Sequence, residues 1–167
     1  IQAAIAYAVT QTPSSTSQWY IFIVGDIDTG YAEDITLSKY IHLIGWGEVI
    51  ITGGLTTSHV TTAQTWTARH SSMENLCFNS TDDALYVRLL NVKNCILRAN
   101  GAGGEVPFYI DGSNLVNTGI YTQNDVDLQA NNTEQENRAV DCWGNEEPVW
   151  ETTDKVYSFF EDTTDQW

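Results

Sequence analysis

Apolar positions along this chain follow two different rhythms. In residues 1–9, Ile1, Ala4, Ile5 and Ala8 recur at three- and four-residue spacing and share one face of a helix. Gln11 to Ser17 holds Pro13 among Ser and Thr and reads as a loop. From Trp19 onward the runs shorten and become strand-like. Tyr20–Val24 ends at Gly25, Ile35–Leu37 alternates, Ile41–Ile44 ends at Gly45, and Val49–Ile51 ends at Gly53-Gly54. Such runs, with only Gly, Asp, Asn or Ser punctuating them, leave no space for the helix that a βαβ crossover needs.

Two all-β arrangements remain, a hairpin sandwich or a parallel solenoid. The sandwich calls for tight Asn-Gly or Asp-Gly turns, and only Asp111-Gly112 qualifies, because Asn100-Gly101 opens a Gly-rich stretch instead. The solenoid calls for a self-similar period of about 20 to 25 residues. Met73 to Phe78, Val92 to Leu97, Leu115 to Ile120 and Ala139 to Trp143 supply it. Their Asn75, Asn94, Asn117 and Asp141 lie 19, 23 and 24 residues apart, each with an apolar residue two before it. Asn and Asp tolerate a left-handed backbone, so these four positions form a ladder of coil corners whose side chains can bond from coil to coil. A further strand is expected over Leu85–Leu90. Val149, Thr153, Val156 and Phe160 share a helical face, so residues 151–161 are predicted to form a second helix. The whole chain, 1–167, is expected to be one domain: a cap helix at 1–9, coils over 19–143 and an acidic cap segment at 144–167.

Charge then narrows the function. The chain carries 22 acidic against 7 basic residues, a net charge of −15. Nucleic-acid binding is excluded, because neutralising phosphates requires clustered Lys and Arg. No run approaches about 18 apolar residues, so membrane insertion is not expected. The many aromatic residues argue against a disordered acidic tail. A Thr- and Asn-rich, Lys-poor surface suits an extracellular, cell-surface or virion setting, and any signal peptide is expected to have been removed or never to have been in this segment. Asn79-Ser80-Thr81 and Asn131-Asn132-Thr133 are sequons, permissive for glycosylation.

Residues 1–8 and 20–52, from Ile-Gln-Ala-Ala-Ile through Tyr31-Ala-Glu-Asp-Ile-Thr-Leu37 to Ile41-His-Leu-Ile-Gly-Trp-Gly47, resemble the N-terminal cap and first coils of right-handed parallel β-helix proteins of the pectin-lyase-like superfamily. Val140-Asp-Cys-Trp-Gly144 and Asp154 to Asp162 are similar to the closing segment of surface β-helix repeat proteins, with Asp141-Cys142 in place of the usual Asn-Tyr. Together these blocks cover about half the chain. The resemblance implies a single-stranded right-handed parallel β-helix with a short N-terminal capping helix and a C-terminal helix. On that ladder Cys95 and Cys142 share a face two coils apart, too far to bridge, and Cys77 points the other way. Three reduced cysteines are therefore expected, at least one of them inside. His42, His59 and His70 are too scattered to make a metal site with them.

A superfold carries enzymes and non-enzymes alike. The carboxylate, Gln and Arg motifs of pectin methylesterases are absent, as is the Arg-bearing motif of pectate lyases. Ser80 to Val87 resembles the paired-Asp coil of polygalacturonase-like hydrolases, whose inverting chemistry needs an acid and a base across a water-sized gap. Asp82 and Asp83, with Asp111 a coil or so later, are the catalytic candidates if the chain is an enzyme, but Thr81-Asp82-Asp83 reads more readily as a polar turn. Asp125 and Asp127 flank Val126 and could together hold Ca²⁺, the only cofactor suggested. Trp46, Trp66 and Trp167 fit no interior pattern, which makes Trp46 and Trp66 candidates for contact with a glycan or a protein. The expectation is a non-enzymatic structural or recognition module of a virion (capsid decoration or tail-spike type) or other extracellular surface. Its partners would be proteins or further copies of itself, a homotrimer by analogy with virion members. The alternatives are a polysaccharide-processing enzyme or a carbohydrate-binding module.

Overall fold

A computed structural model describes residues 1–25, 30–57, 70–80, 85–99, 108–122, 138–144 and 160–162. They form a parallel β-solenoid whose strands visit three sheets in turn. The first sheet stacks β1 (Trp19–Val24), β3 (Ile41–Trp46), β6 (Ser71–Glu74), β9 (Leu90–Lys93), β12 (Asn114–Val116) and β14 (Arg138–Val140). The second stacks β4 (Ile50–Ile51), β7 (Cys77–Ser80), β10 (Ile96–Ala99), β13 (Gly119–Thr122), β15 (Cys142–Gly144) and β16 (Phe160–Asp162). The third stacks β2 (Ile35–Leu37), β5 (Leu55–Thr57), β8 (Leu85–Arg88) and β11 (Phe108–Asp111).

In-register pairing carries one apolar column straight through the first sheet: Ile21, Leu43, Met73, Val92, Leu115 and Ala139. Ile51, Phe78, Leu97 and Ile120 form the matching column of the second. Alternation sends these side chains inward, and those from Leu43 to Ala139 and from Ile51 to Ile120 are buried. The short helix α1 (Gln2–Thr10) closes the first coil with Ile5 and Ala8. It is tied down at Gln2, whose backbone N–H donates to Glu33 Oε2 at 2.7 Å and whose side-chain oxygen accepts from the Thr36 N–H at 2.8 Å. Of the predicted helical face, Ala4 is exposed, because the coil beneath meets only the Ile5–Ala8 edge.

The corners depend on a left-handed backbone. Asn75, Asn94, Asn117 and Asp141 have φ of 57°, 52°, 48° and 51°. Asn94 Nδ2 donates to Asn75 Oδ1 at 3.2 Å, and Asn117 Nδ2 donates to Asn94 Oδ1 at 2.8 Å. Just inside this corner runs a second column, Leu76, Cys95, Thr118 and Cys142, joined by backbone bonds from coil to coil. Its polar members settle their own hydrogens locally. Cys95 Sγ donates to Lys93 O, Thr118 Oγ1 to Val116 O and Cys142 Sγ to Val140 O, at 3.3, 3.0 and 3.5 Å. All three cysteines are free thiols.

Three expectations change. The strand expected over Leu85–Leu90 is two strands, because Leu89 turns a corner at φ 53° between β8 and β9. That conformation costs a non-glycine residue about 1–2 kcal/mol, and burial of the leucine side chain offsets it. Gly45 does not end its strand, which continues to Trp46. A Cβ there would stand 2.0 Å from the Asn75 carbonyl oxygen, so glycine is needed where the next coil's corner backs onto this strand. At the C-terminal end of the predicted second helix, Phe160–Asp162 is a strand paired in parallel with β15, where it satisfies that strand's open edge. Residues 151–159 lie outside the described residues.

Two stability measurements follow. Asn94→Ala should cost about 1–2 kcal/mol in chemical denaturation, because it forfeits both the ladder bonds and left-handed tolerance, whereas Asn94→Gly should cost about half as much. Phe78→Ala, at the largest fully buried side chain among the described residues, should cost about 3–5 kcal/mol.

Candidate functional site

The described surface has two features that packing does not account for. The first is the outer face of the first sheet where the coils begin. Tyr20, Phe22 and Val24 alternate outward from β1, and Trp46 lies beside Val24 in register on β3. They are 53, 63, 67 and 74% exposed. On the next coils the same outward positions hold Ser72, Glu74, Asn91 and Lys93, and Lys93 pairs with Glu74 at 3.2 Å. The outer face thus changes from apolar to polar within three rungs.

His42 sits at the border of this face. Its ring stacks on Tyr20 with centroids 4.6 Å apart and planes 15° from parallel. Nδ1 and Ser72 Oγ form a 2.8 Å hydrogen bond, and Nε2 is buried with no partner among the described residues. Burial lowers the imidazole's pKa below its ordinary value.

The second feature is an open groove of about 360 Å³ on the outside of the second sheet. The segment from Gly47 to Ile50 forms one side of it, where the chain takes three residues between β3 and β4 and the next three coils take two at the same corner. Glu48, Asn75, Cys77, Ile96 and Arg98 are among its lining. The Arg98 guanidinium lies 5.0 Å from the centre of the Tyr121 ring. Burial raises the Cys77 pKa, the nearby Arg98 charge opposes that rise, and Glu48 adds to it. Cys95 and Cys142 point inward, and burial pushes the Cys95 thiol up to about 12 and Cys142 above its ordinary value.

Of the residues singled out from the sequence, Trp46 stands on the apolar face. Asp111 belongs to β11, paired by register with Arg88 of β8. Asp82, Asp83, Trp66, Asp125, Asp127 and Trp167 lie outside the described residues. Among those described, no three His, Cys, Asp or Glu side chains converge to hold a metal, and no helix is long and apolar enough to cross a membrane. Sequence reasoning missed Phe22, His42 and Arg98. The signal for Phe22 was present, since Tyr20 to Val24 is apolar at every position and a strand can bury only alternate ones. Arg98 carried no comparable signal, because an isolated basic residue is informative only once the coils are stacked.

The fold and these surfaces define a parallel β-solenoid with an apolar outer face on its first sheet and a groove of mixed lining on its second. Compared with family models, curated proteins and solved structures, the chain gave no significant match.

Two predictions rest on this geometry. With its folded pKa lowered, His42 stays neutral where the unfolded chain takes up a proton. Stability should therefore be unaffected by this ring above about pH 6.5, fall as pH drops below that value, and level off once the folded ring protonates. His42→Asn should remove that part of the pH dependence when denaturation is followed across the range. Alkylation of the folded protein in mild alkali, mapped by mass spectrometry, should label Cys77 first, with Cys95 and Cys142 reacting only on unfolding.

Proposed function

We propose that this chain is a non-enzymatic structural or recognition module of the surface or virion type, akin to the pectin-lyase-like β-helices its sequence resembles. It acts as a rigid post whose first sheet engages a protein partner or another copy of itself. The observation that carries this reading is the cluster of Tyr20, Phe22, Val24 and Trp46, all more than half exposed on a single face. Apolar side chains gathered this way on a water-facing sheet lose free energy when another surface covers them. Aromatic residues are also the commonest anchors of protein interfaces. The acidic, Lys-poor composition supports a surface or virion setting.

The decisive experiment determines the assembly state by light scattering. We expect an oligomer, a homotrimer being the first form to look for, and expect the double variant Phe22→Ser, Trp46→Ser to lower its mass while leaving the thermal transition in place. A strict monomer that cleaves a polysaccharide would overturn the proposal in favour of a catalytic β-helix.

A further inference from the structure

The first sheet begins at β1, which is bonded to β3 on one side only. The Trp19 N–H reaches Tyr40 O, and the Gly25 N–H just past the strand reaches Trp46 O. Parity therefore turns the main-chain groups of Ile21 and Ile23 toward β3 and those of Tyr20, Phe22 and Val24 away from it. On that outer edge the Val24 carbonyl accepts from the Tyr31 hydroxyl at 2.6 Å. The N–H groups of Tyr20, Phe22 and Val24, and the carbonyls of Tyr20 and Phe22, have no partner among the described residues.

The other two sheets close the corresponding edge. On β2 the Ile35 N–H goes to Gly54 O, and the Thr36 N–H, turned the opposite way, donates to Gln2 Oε1 at 2.8 Å. On β4 the edge is met by Tyr31, which donates to Ile50 O and accepts from the Thr52 N–H. Strand β1 also lacks the usual guards of an open edge, since its six residues include no charge, proline or glycine. Tyr7 and Val9 of α1 join Tyr20, Phe22, Val24 and Trp46 as the large apolar side chains exposed among the described residues. Tyr7 meets the Trp19 ring edge-on at 5.9 Å, so α1 borders the start of the same strand.

Unpaired groups at strand spacing match the backbone of a further strand. Charge selects which strand. Residues 1–38 hold four acidic residues and no Lys, Arg or His. A second copy carries that same charge, whereas a segment bearing Lys or Arg is attracted to it. We propose that the edge of β1 takes up an extended segment of a partner protein in which apolar and basic residues alternate. The inference rests on the reading that this sheet engages a protein, and it gives the partner's form. The segment's apolar residues extend the inward column over Ile21, which is only partly buried. Its basic residues stand outward beside the Tyr20 and Phe22 rings.

A labelled eight-residue peptide alternating valine and lysine, titrated at low salt by fluorescence anisotropy, tests this. Saturable binding is expected. Versions with glutamate for lysine, or N-methylated at every amide, should bind about tenfold more weakly or worse. Phe22→Pro removes an edge N–H that no ladder bond uses, so it should weaken binding more than Phe22→Ala. Residue-resolved amide exchange reads the edge directly. Without peptide, Ile21 and Ile23 should exchange slowly and Tyr20 and Phe22 fast, and peptide should slow the latter two about tenfold or more. The proposal is overturned if the peptide does not bind saturably, or if the glutamate or N-methylated version binds equally well. It is overturned as well if Phe22→Pro and Phe22→Ala bind alike, or if binding leaves Tyr20 and Phe22 exchange unchanged. Protection of these amides that rises with protein concentration alone assigns the edge to a second copy and also overturns it. In each case the Phe22→Ser, Trp46→Ser comparison by light scattering still decides the outer-face reading separately.

Discussion

Everything in this fold depends on in-register stacking of parallel coils. Each strand bonds to the strand one coil away, so a side chain's neighbours are its counterparts above and below. That rule concentrates selection on columns. An inward column must be apolar at every rung, as from Ile21 to Ala139, and a corner column must accept a left-handed backbone at every rung, as from Asn75 to Asp141. A single misfit would propagate to both neighbours, which is why Gly45 stands where the Asn75 carbonyl comes close.

Ser71, Cys95, Ser113, Thr118 and Cys142 enter the interior with their hydrogens settled on backbone carbonyls, of the same coil or of the one before. Cys95, Thr118 and Cys142 do this by donating to the carbonyl two residues back. Ser113 does so differently, giving its hydrogen to Val87 O and accepting from the Leu90 N–H. Buried hydroxyls and thiols of this kind avoid the penalty of an unsatisfied group. They also explain how the same column can hold leucine at one rung and cysteine or threonine at others.

Much of the fold was legible because coil stacking leaves a periodic trace. The Asn/Asp spacing marked the corners, the lack of tight hairpin turns argued against antiparallel pairing, and the Ile-Ala pattern marked the cap helix. What escaped was non-periodic. Leu89 turns a corner where nothing in its side chain announces one, and Gly45 resembles a strand terminator although it is a point of close approach. The surface was harder still. Arg98 and Glu48 are far apart in sequence and line one groove only because the coils stack, and the apolar run from Tyr20 to Val24 requires alternate side chains to face outward without showing which.

The amide row also has a direction. Every described link passes its hydrogen from the later coil to the earlier one, so the row can be lengthened at its far end only by a side chain with a hydrogen to give. Asp141 occupies that place, and an ionised carboxylate accepts but never donates. Exchanging one atom, nitrogen for oxygen, therefore stops the relay at Asn117 although the backbone continues through the same bend. The corner and the relay are separable inheritances: the shape of the turn passes from coil to coil even where the chemical thread running through it has been cut.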